Sequence, residues 1–133
     1  MHEYAHWQTA TLLRRLVKEA SKTARSSDAD AIHDLRVAIR RLSGCLKLFA
    51  RFYPDRGRKG LRRELKQMMK ACGDVRDKDI ALALLADAGA PATSAVVRRL
   101  ASDRKDAARK LGTVLKRWRD GRFPRQWRTR LEL

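Results

Sequence analysis

The sequence predicts an all-α protein, an antiparallel helical bundle of four to five helices, and three observations carry that expectation. Apolar residues recur at steps of three and four along most of the chain, the period of a helix that buries one face. Period-two alternation, the mark of a half-buried strand, is absent. Ala, Leu, Arg and Lys dominate and only 6% of residues are aromatic, a mix with high intrinsic helix propensity. With 133 residues, 44% of them hydrophobic, the chain has the length of one domain and enough apolar content for a real core.

The elements follow in order. Residues 4–25 place Trp7, Leu12, Leu13, Leu16, Val17 and Ala20 at helical spacing. The cluster SSDAD at 26–30 supplies a turn and a cap, Asp28 or Asp30. Residues 31–53 form the clearest helix. Ile32, Leu35, Ile39, Leu42, Leu46, Phe49 and Tyr53 make a narrow seam of the kind that packs in bundles. Pro54 and the DRGRKG that follows end it.

A third helix is expected over 59–72, on Leu61, Leu65, Met68, Met69 and Cys72, with Gly73 as its C-cap. Asp74 then caps a further helix with Asp77 in its first turn, and Ile80, Leu82, Leu84 and Leu85 carry it to GAP at 89–91. Pro91 stands before the last long helix, which runs to about Trp118 on Val97, Leu100, Ala107, Leu111, Val114, Leu115 and Trp118. The basic tail 119–133, interrupted by Gly121 and Pro124, has room for one short helix.

Composition narrows the partners. Lys and Arg number 32 against 15 Asp and Glu, a formal charge of +17, and the isoelectric point is near 11.2. A field of that size attracts polyanions: nucleic acid, phosphate polymers or an acidic membrane surface. No apolar run approaches the roughly 18 residues that span a bilayer, and the opening MHEYAHWQTA lacks the apolar core of a secretory leader. Cys45 and Cys72 lie in helical segments without metal-ligand spacing. That usage reads as reduced, buried thiols, and so as a cytoplasmic protein without a membrane partner.

Catalytic motifs are weak. HEYAH at residues 2–6 satisfies H-E-x-x-H, in which two imidazoles one turn apart hold zinc. It sits at the extreme N-terminus, and the remaining histidine, His33, has a context of its own. A chance match explains it better than a metal site. There is no nucleophile elbow and no glycine-rich phosphate loop after a strand. Asp74, Asp77 and Asp79 have a spacing suited to capping and to ion pairs with Arg76 and Lys78. The expectation is a noncatalytic protein without cofactor or metal.

The basic residues have a different pattern. One step round from the seam of helix 31–53 lie His33, Arg36, Arg40, Ser43 and Lys47, with Arg41 beside them. Arg36 and Arg40 are four apart, where like charges repel by roughly 0.2–0.5 kcal/mol, and only Asp34 offers relief. Arg62, Lys66 and Lys70 repeat the row on the next helix. If the two helices pack antiparallel, the rows face one groove. The bland alternative is a pair of solvated faces. Unrelieved stacking of cations weighs against it, and so does the preference for Arg, whose planar fork suits phosphate. A histidine at the end of such a row also suits an anion, which favours the protonated imidazole.

The stretch IHDLRVAIRRLSGCLKLF resembles the signature of CHAD domains, the conserved-histidine α-helical domains. LRRELKQMMKACGDVRDKDIALALL is similar to a second segment of that family, and GRFPRQW resembles a third more weakly. The resemblance implies an all-helical fold that binds inorganic polyphosphate in a basic groove or pore, in the cytoplasm and with polyphosphate granules. It makes His33, Arg36, Arg40 and Arg41 the leading contacts, followed by Lys47, Arg62, Lys66 and Arg76. For Arg76 a structural pairing with Asp77 or Asp79 is the alternative.

Two departures matter. Ser43 stands where the family usually has a further Arg. Complete family members carry two related bundles, whereas this sequence matches the N-terminal one, so the resemblance implies either a homodimer that rebuilds the pair, the favoured reading, or a degenerate or truncated domain. Nucleic acid is the alternative polyanion. Trp118, Phe123 and Trp127 interleave with Arg117, Arg119, Arg122, Arg125 and Arg128, as a single-strand stacking platform would, unless those tryptophans are core. A hydrolase of phosphate polymers is the weakest reading, since the sequence lacks the carboxylate cluster that metal-assisted hydrolysis uses.

Overall fold

The structure, a computed structural model, describes residues 1–133. Four long helices, α1 (His2–Arg25), α2 (Ala29–Leu48), α3 (Asp55–Asp87) and α4 (Ala95–Arg119), are followed by a short α5 (Arg122–Arg130). There are no strands. α1 packs on α2 and α4, and α3 packs on α2 and α4. Each long helix therefore touches its neighbours in sequence, and the first and last close the ring. This is the helix bundle that short connections between amphipathic helices favour.

The turn between α1 and α2 is built as the sequence suggests. Asp28 caps α2, its Oδ1 accepting the Ala31 amide at 2.8 Å, and that bond holds the carboxyl below its usual pKa. All seven seam residues from Ile32 to Tyr53 are buried. The helix itself ends earlier than expected. α2 stops at Leu48, a single 3₁₀ turn covers Ala50–Phe52, and Tyr53 is extended with φ −125 and ψ 150. Pro54 accounts for the extended Tyr53, because its ring drives the preceding residue out of the helical region.

Tyr53 is nevertheless pinned. Its hydroxyl donates to the Ala5 carbonyl at 2.8 Å and bonds to the buried Thr9 hydroxyl, which also meets the Cys45 sulfur at 3.3 Å. Tyr53 has spent its one proton on Ala5. Thr9 therefore donates to Tyr53 and the Cys45 thiol donates to Thr9. This relay ties the α2–α3 turn to α1.

The largest difference from expectation is α3. Residues 55–87 form one unbroken helix of 33 residues, so DRGRKG begins a helix and Gly73 does not end one. Asp74 is an exposed mid-helix residue and caps nothing. A mid-helix glycine costs only about 1 kcal/mol, and Leu61, Leu65, Met68, Cys72 and Val75, buried on both sides of Gly73, outweigh it. Gly57 and Gly60 have a packing role. A Cβ on Gly57 would strike the Arg130 backbone carbonyl, and one on Gly60 would lie 3.0 Å from the Trp127 ring. These two positions let α5 lie against the start of α3.

Trp7 is another correction. It is 59% exposed, and the inward positions of the first turns of α1 are Ala5 and Thr9. The core is otherwise continuous from Ala5 to Leu131, with Trp118 fully buried and Trp127 nearly so.

Beyond this core α3 and α4 project as a hairpin. Arg104 of α4 marks the boundary, donating from Nε to Asp79 of α3 at 3.0 Å and from Nη2 to the Ser27 carbonyl in the α1–α2 turn at 2.6 Å. No residue of α3 after Val75 and none of α4 before Leu111 is fully buried.

Candidate functional site: a basic groove between α2 and α3

α2 and α3 run antiparallel, and a groove of about 580 Å³ opens along their contact. Its walls are Arg40 and Ser43 from α2 and Lys59, Arg62, Arg63 and Lys66 from α3, over a floor that includes Ile39, Leu65 and Met69. The floor residues belong to the apolar seams and hold the two helices together. The cations stand one helical step away, so the packing that buries the floor also aims them into the groove.

No carboxylate lines this groove. Each acidic side chain that forms an ion pair in the fold has another partner, and none of the five groove cations has one. Asp34, the nearest acid in sequence to the α2 row, bonds Lys22 of α1 at 3.0 Å and leaves the row unrelieved. Five cations in one concave strip without counter-charge repel each other, and an anion bound there would remove that repulsion.

Of the residues expected from sequence, the groove brings together Arg40, Arg62 and Lys66. Arg36 lies further along the same contact. Its Nε is buried without a hydrogen-bond partner, and its charge reaches Cys72 of α3. Burial pushes that thiol up to about 12, with Arg36 opposing the rise. Arg36 by Cys72, and Arg40 in the same groove as Lys66, fit the antiparallel run of the two helices. His33, Arg41, Lys47 and Arg76 are all exposed and do not line the groove.

Arg76 forms no ion pair with Asp77 or Asp79. Asp79 is engaged by Arg104, and neither Asp74 nor Asp77 has a basic partner. The expected pairing of this aspartate cluster with Arg76 and Lys78 is therefore replaced by a link across the α3–α4 contact.

Sequence reasoning missed Lys59 and Arg63. Lys59 and Arg63 are four apart, a second ladder beside Arg62 and Lys66, and that spacing was available as a signal. Ser43, which departs from the expected Arg, faces the groove and widens it where a long side chain would fill it.

The aromatic tail is not a stacking platform. Trp118 and Trp127 are buried, and Phe123 packs edge-on between them with centroids 4.9 and 5.9 Å away. Of the HEYAH histidines, His6 stacks on Tyr53, and His2 lies tilted against His6 and edge-on to Phe52. No group of three or more His, Cys, Asp or Glu side chains comes together anywhere in the fold, so the pair lacks the third ligand a zinc site needs. No helix is long and apolar enough to cross a membrane.

The family model of the CHAD domain matches residues 8–133, nearly the entire chain. The chain belongs to the CHAD family. No curated protein and no solved structure matches it. In this CHAD domain the two signature segments lie on α2 and on α3, the helices that form the groove.

Proposed function

We propose that this CHAD domain binds inorganic polyphosphate, without catalysis, along the α2–α3 groove. One observation carries the reading. Arg40, Lys59, Arg62, Arg63 and Lys66 share a concave strip that contains no acid, and none of them is ion-paired. A linear polymer with a charge on every unit suits cations spaced along two helices, where successive turns are about 5.4 Å apart. Arg36, His33 and Arg76 extend the same strip toward the α1–α2 turn. Release of condensed counterions would drive binding and make it salt-sensitive, as it does for nucleic acids.

Titration with long-chain polyphosphate at near-physiological salt tests the site. The double substitution Arg40→Ala and Lys66→Ala should weaken binding by about a hundredfold, the loss of two charge-assisted contacts. Arg98→Ala with Lys105→Ala removes the same charge from exposed positions on α4 and should change it by less than about threefold. Equal losses from the two pairs would mean that net charge alone does the binding.

The reading includes a homodimer formed through the projecting α3–α4 hairpin. Ile80, Leu84 and Val96 are exposed there, Leu84 by 64%. Residues 74–106 hold six acidic and six basic side chains, so the whole +17 lies outside them. Electrostatic repulsion between two such highly charged chains is small through this neutral, partly apolar end, which makes a second copy a partner it fits. Joined there, two copies form the paired bundles that the family resemblance implies. Sedimentation should show a dimer at micromolar concentration that Ile80→Asp with Leu84→Asp converts to monomer. A wild-type monomer at that concentration rules the dimer out.

A further inference from the structure

A second cleft, of about 1020 Å³, lies between the start of α3 and α5. Arg56 and Arg63 of α3, Arg117 of α4, and Arg122 and Arg130 of α5 line it. Arg63 is common to both cavities. Cleft and groove therefore meet at one side chain, along a single face of α3 that runs from Lys66 to Arg56. At about 1.5 Å per residue that face is roughly 15 Å long.

The three acids of the cleft do not neutralise it. Glu64 is taken by Arg117 at 2.8 Å, and Asp120 accepts the backbone amide of Arg122 at 3.1 Å. Asp120, whose charge a neutral amide does not cancel, and Glu132 remain against Arg56, Arg63, Arg122 and Arg130, none of which has an acidic partner, so the lining keeps an excess of cations. The aromatic floor is already occupied. The Arg117 guanidinium stands 4.5 Å over the Phe123 ring and that of Arg130 4.8 Å over Trp127. A nucleobase would find these faces covered, whereas a simple oligoanion would find guanidinium groups pre-positioned by their stacking.

We infer that this α3–α5 cleft is a second anion subsite, continuous with the groove through Arg63, which takes the continuation of a phosphate chain too long for the groove. The inference rests on the groove reading above and extends it to chain-length selection. A short oligophosphate is held by groove cations alone. A long one follows α3 past Arg63 and gains Arg56 and Arg122. The close approach of α5 allowed by Gly57 and Gly60 builds the second wall.

The test compares tripolyphosphate with long-chain polyphosphate at near-physiological salt. Arg56→Ala with Arg122→Ala changes two exposed, unpaired residues. This variant should lose about tenfold affinity for the long polymer and keep tripolyphosphate affinity within about twofold. Arg56→Lys with Arg122→Lys should restore part of the loss. Arg40→Ala with Lys66→Ala should lose both ligands. Unchanged long-chain binding in the Arg56/Arg122 variant, or an equal loss for both ligands, overturns the second subsite and leaves the groove standing. A wild-type protein that binds neither ligand overturns the groove, and the extension with it.

Discussion

Arg104 joins Asp79 at the level where the four-helix section of the molecule ends. Its guanidinium bonds the Asp79 carboxylate through Nε and Nη2, and the same Nη2 donates to the Ser27 carbonyl. One side chain thus holds α4, α3 and the α1–α2 turn together, with the hairpin tip projecting beyond. Arg104→Met keeps the aliphatic stem but leaves a partly buried carboxylate without its partner. It should cost about 1–3 kcal/mol, and amide exchange should rise first in residues 80–103. Arg99→Met breaks an ion pair whose Arg is 82% exposed and should change stability by less than about 0.5 kcal/mol.

The glycines of α3 should respond in opposite directions. A Cβ on Gly73 meets nothing within 4 Å, so Gly73→Ala should stabilise the helix by about 0.5–1 kcal/mol. Gly57→Ala drives a methyl group into the Arg130 carbonyl and must displace α5. It should destabilise by about 1–3 kcal/mol despite the better helix propensity. Denaturant midpoints of the two variants decide it. Equal shifts would mean that α5 does not pack on α3 as described.

Alkaline pH should destabilise the protein through its buried thiols and Tyr53. Burial raises Cys72 to about 12, against an ordinary 9.0, and raises Cys45 and Tyr53 as well. Above about pH 9 the unfolded chain releases these protons and the folded chain keeps them. The native state then binds more protons than the unfolded one, so stability falls as pH rises. This contribution is fully present below pH 9 and is lost progressively toward pH 12. In Cys72→Ala the denaturation midpoint should be lower at pH 7 and decline less steeply between pH 9 and 11. An unchanged slope would contradict the assignment.

Much of the fold was legible because it depends on local periodicity. The seam Ile32–Tyr53 reports its own burial, and Asp28 stands where a cap must stand. Gly73 and Asp74 misled because propensity and capping are effects of about 1 kcal/mol, and the apolar residues on both sides of the break bury more than that. Trp7 misled because spacing cannot tell which of two adjacent apolar stripes faces the core.

At the site, Arg40, Arg62 and Lys66 were readable from i,i+4 rows on two helices expected to pair. Lys59 and Arg63 were passed over although their i,i+4 spacing was visible, because Lys59 stands at the junction of the DRGRKG stretch read as a helix stop and the helix expected from 59. The α5 wall was invisible for a different reason. Its contact with Gly57 and Gly60 joins residues some 70 positions apart, and nothing local records it.

Competition between polyphosphate and single-stranded RNA of matched charge, at near-physiological salt, tests the central claim most directly. The groove offers guanidinium and ammonium groups without carboxylates, and the tail offers no open aromatic face. Polyphosphate should therefore displace RNA at a molar charge ratio well below one, and Arg40→Ala with Lys66→Ala should abolish that advantage. Equal affinity for the two polymers, unchanged by the substitutions, would contradict a polyphosphate groove.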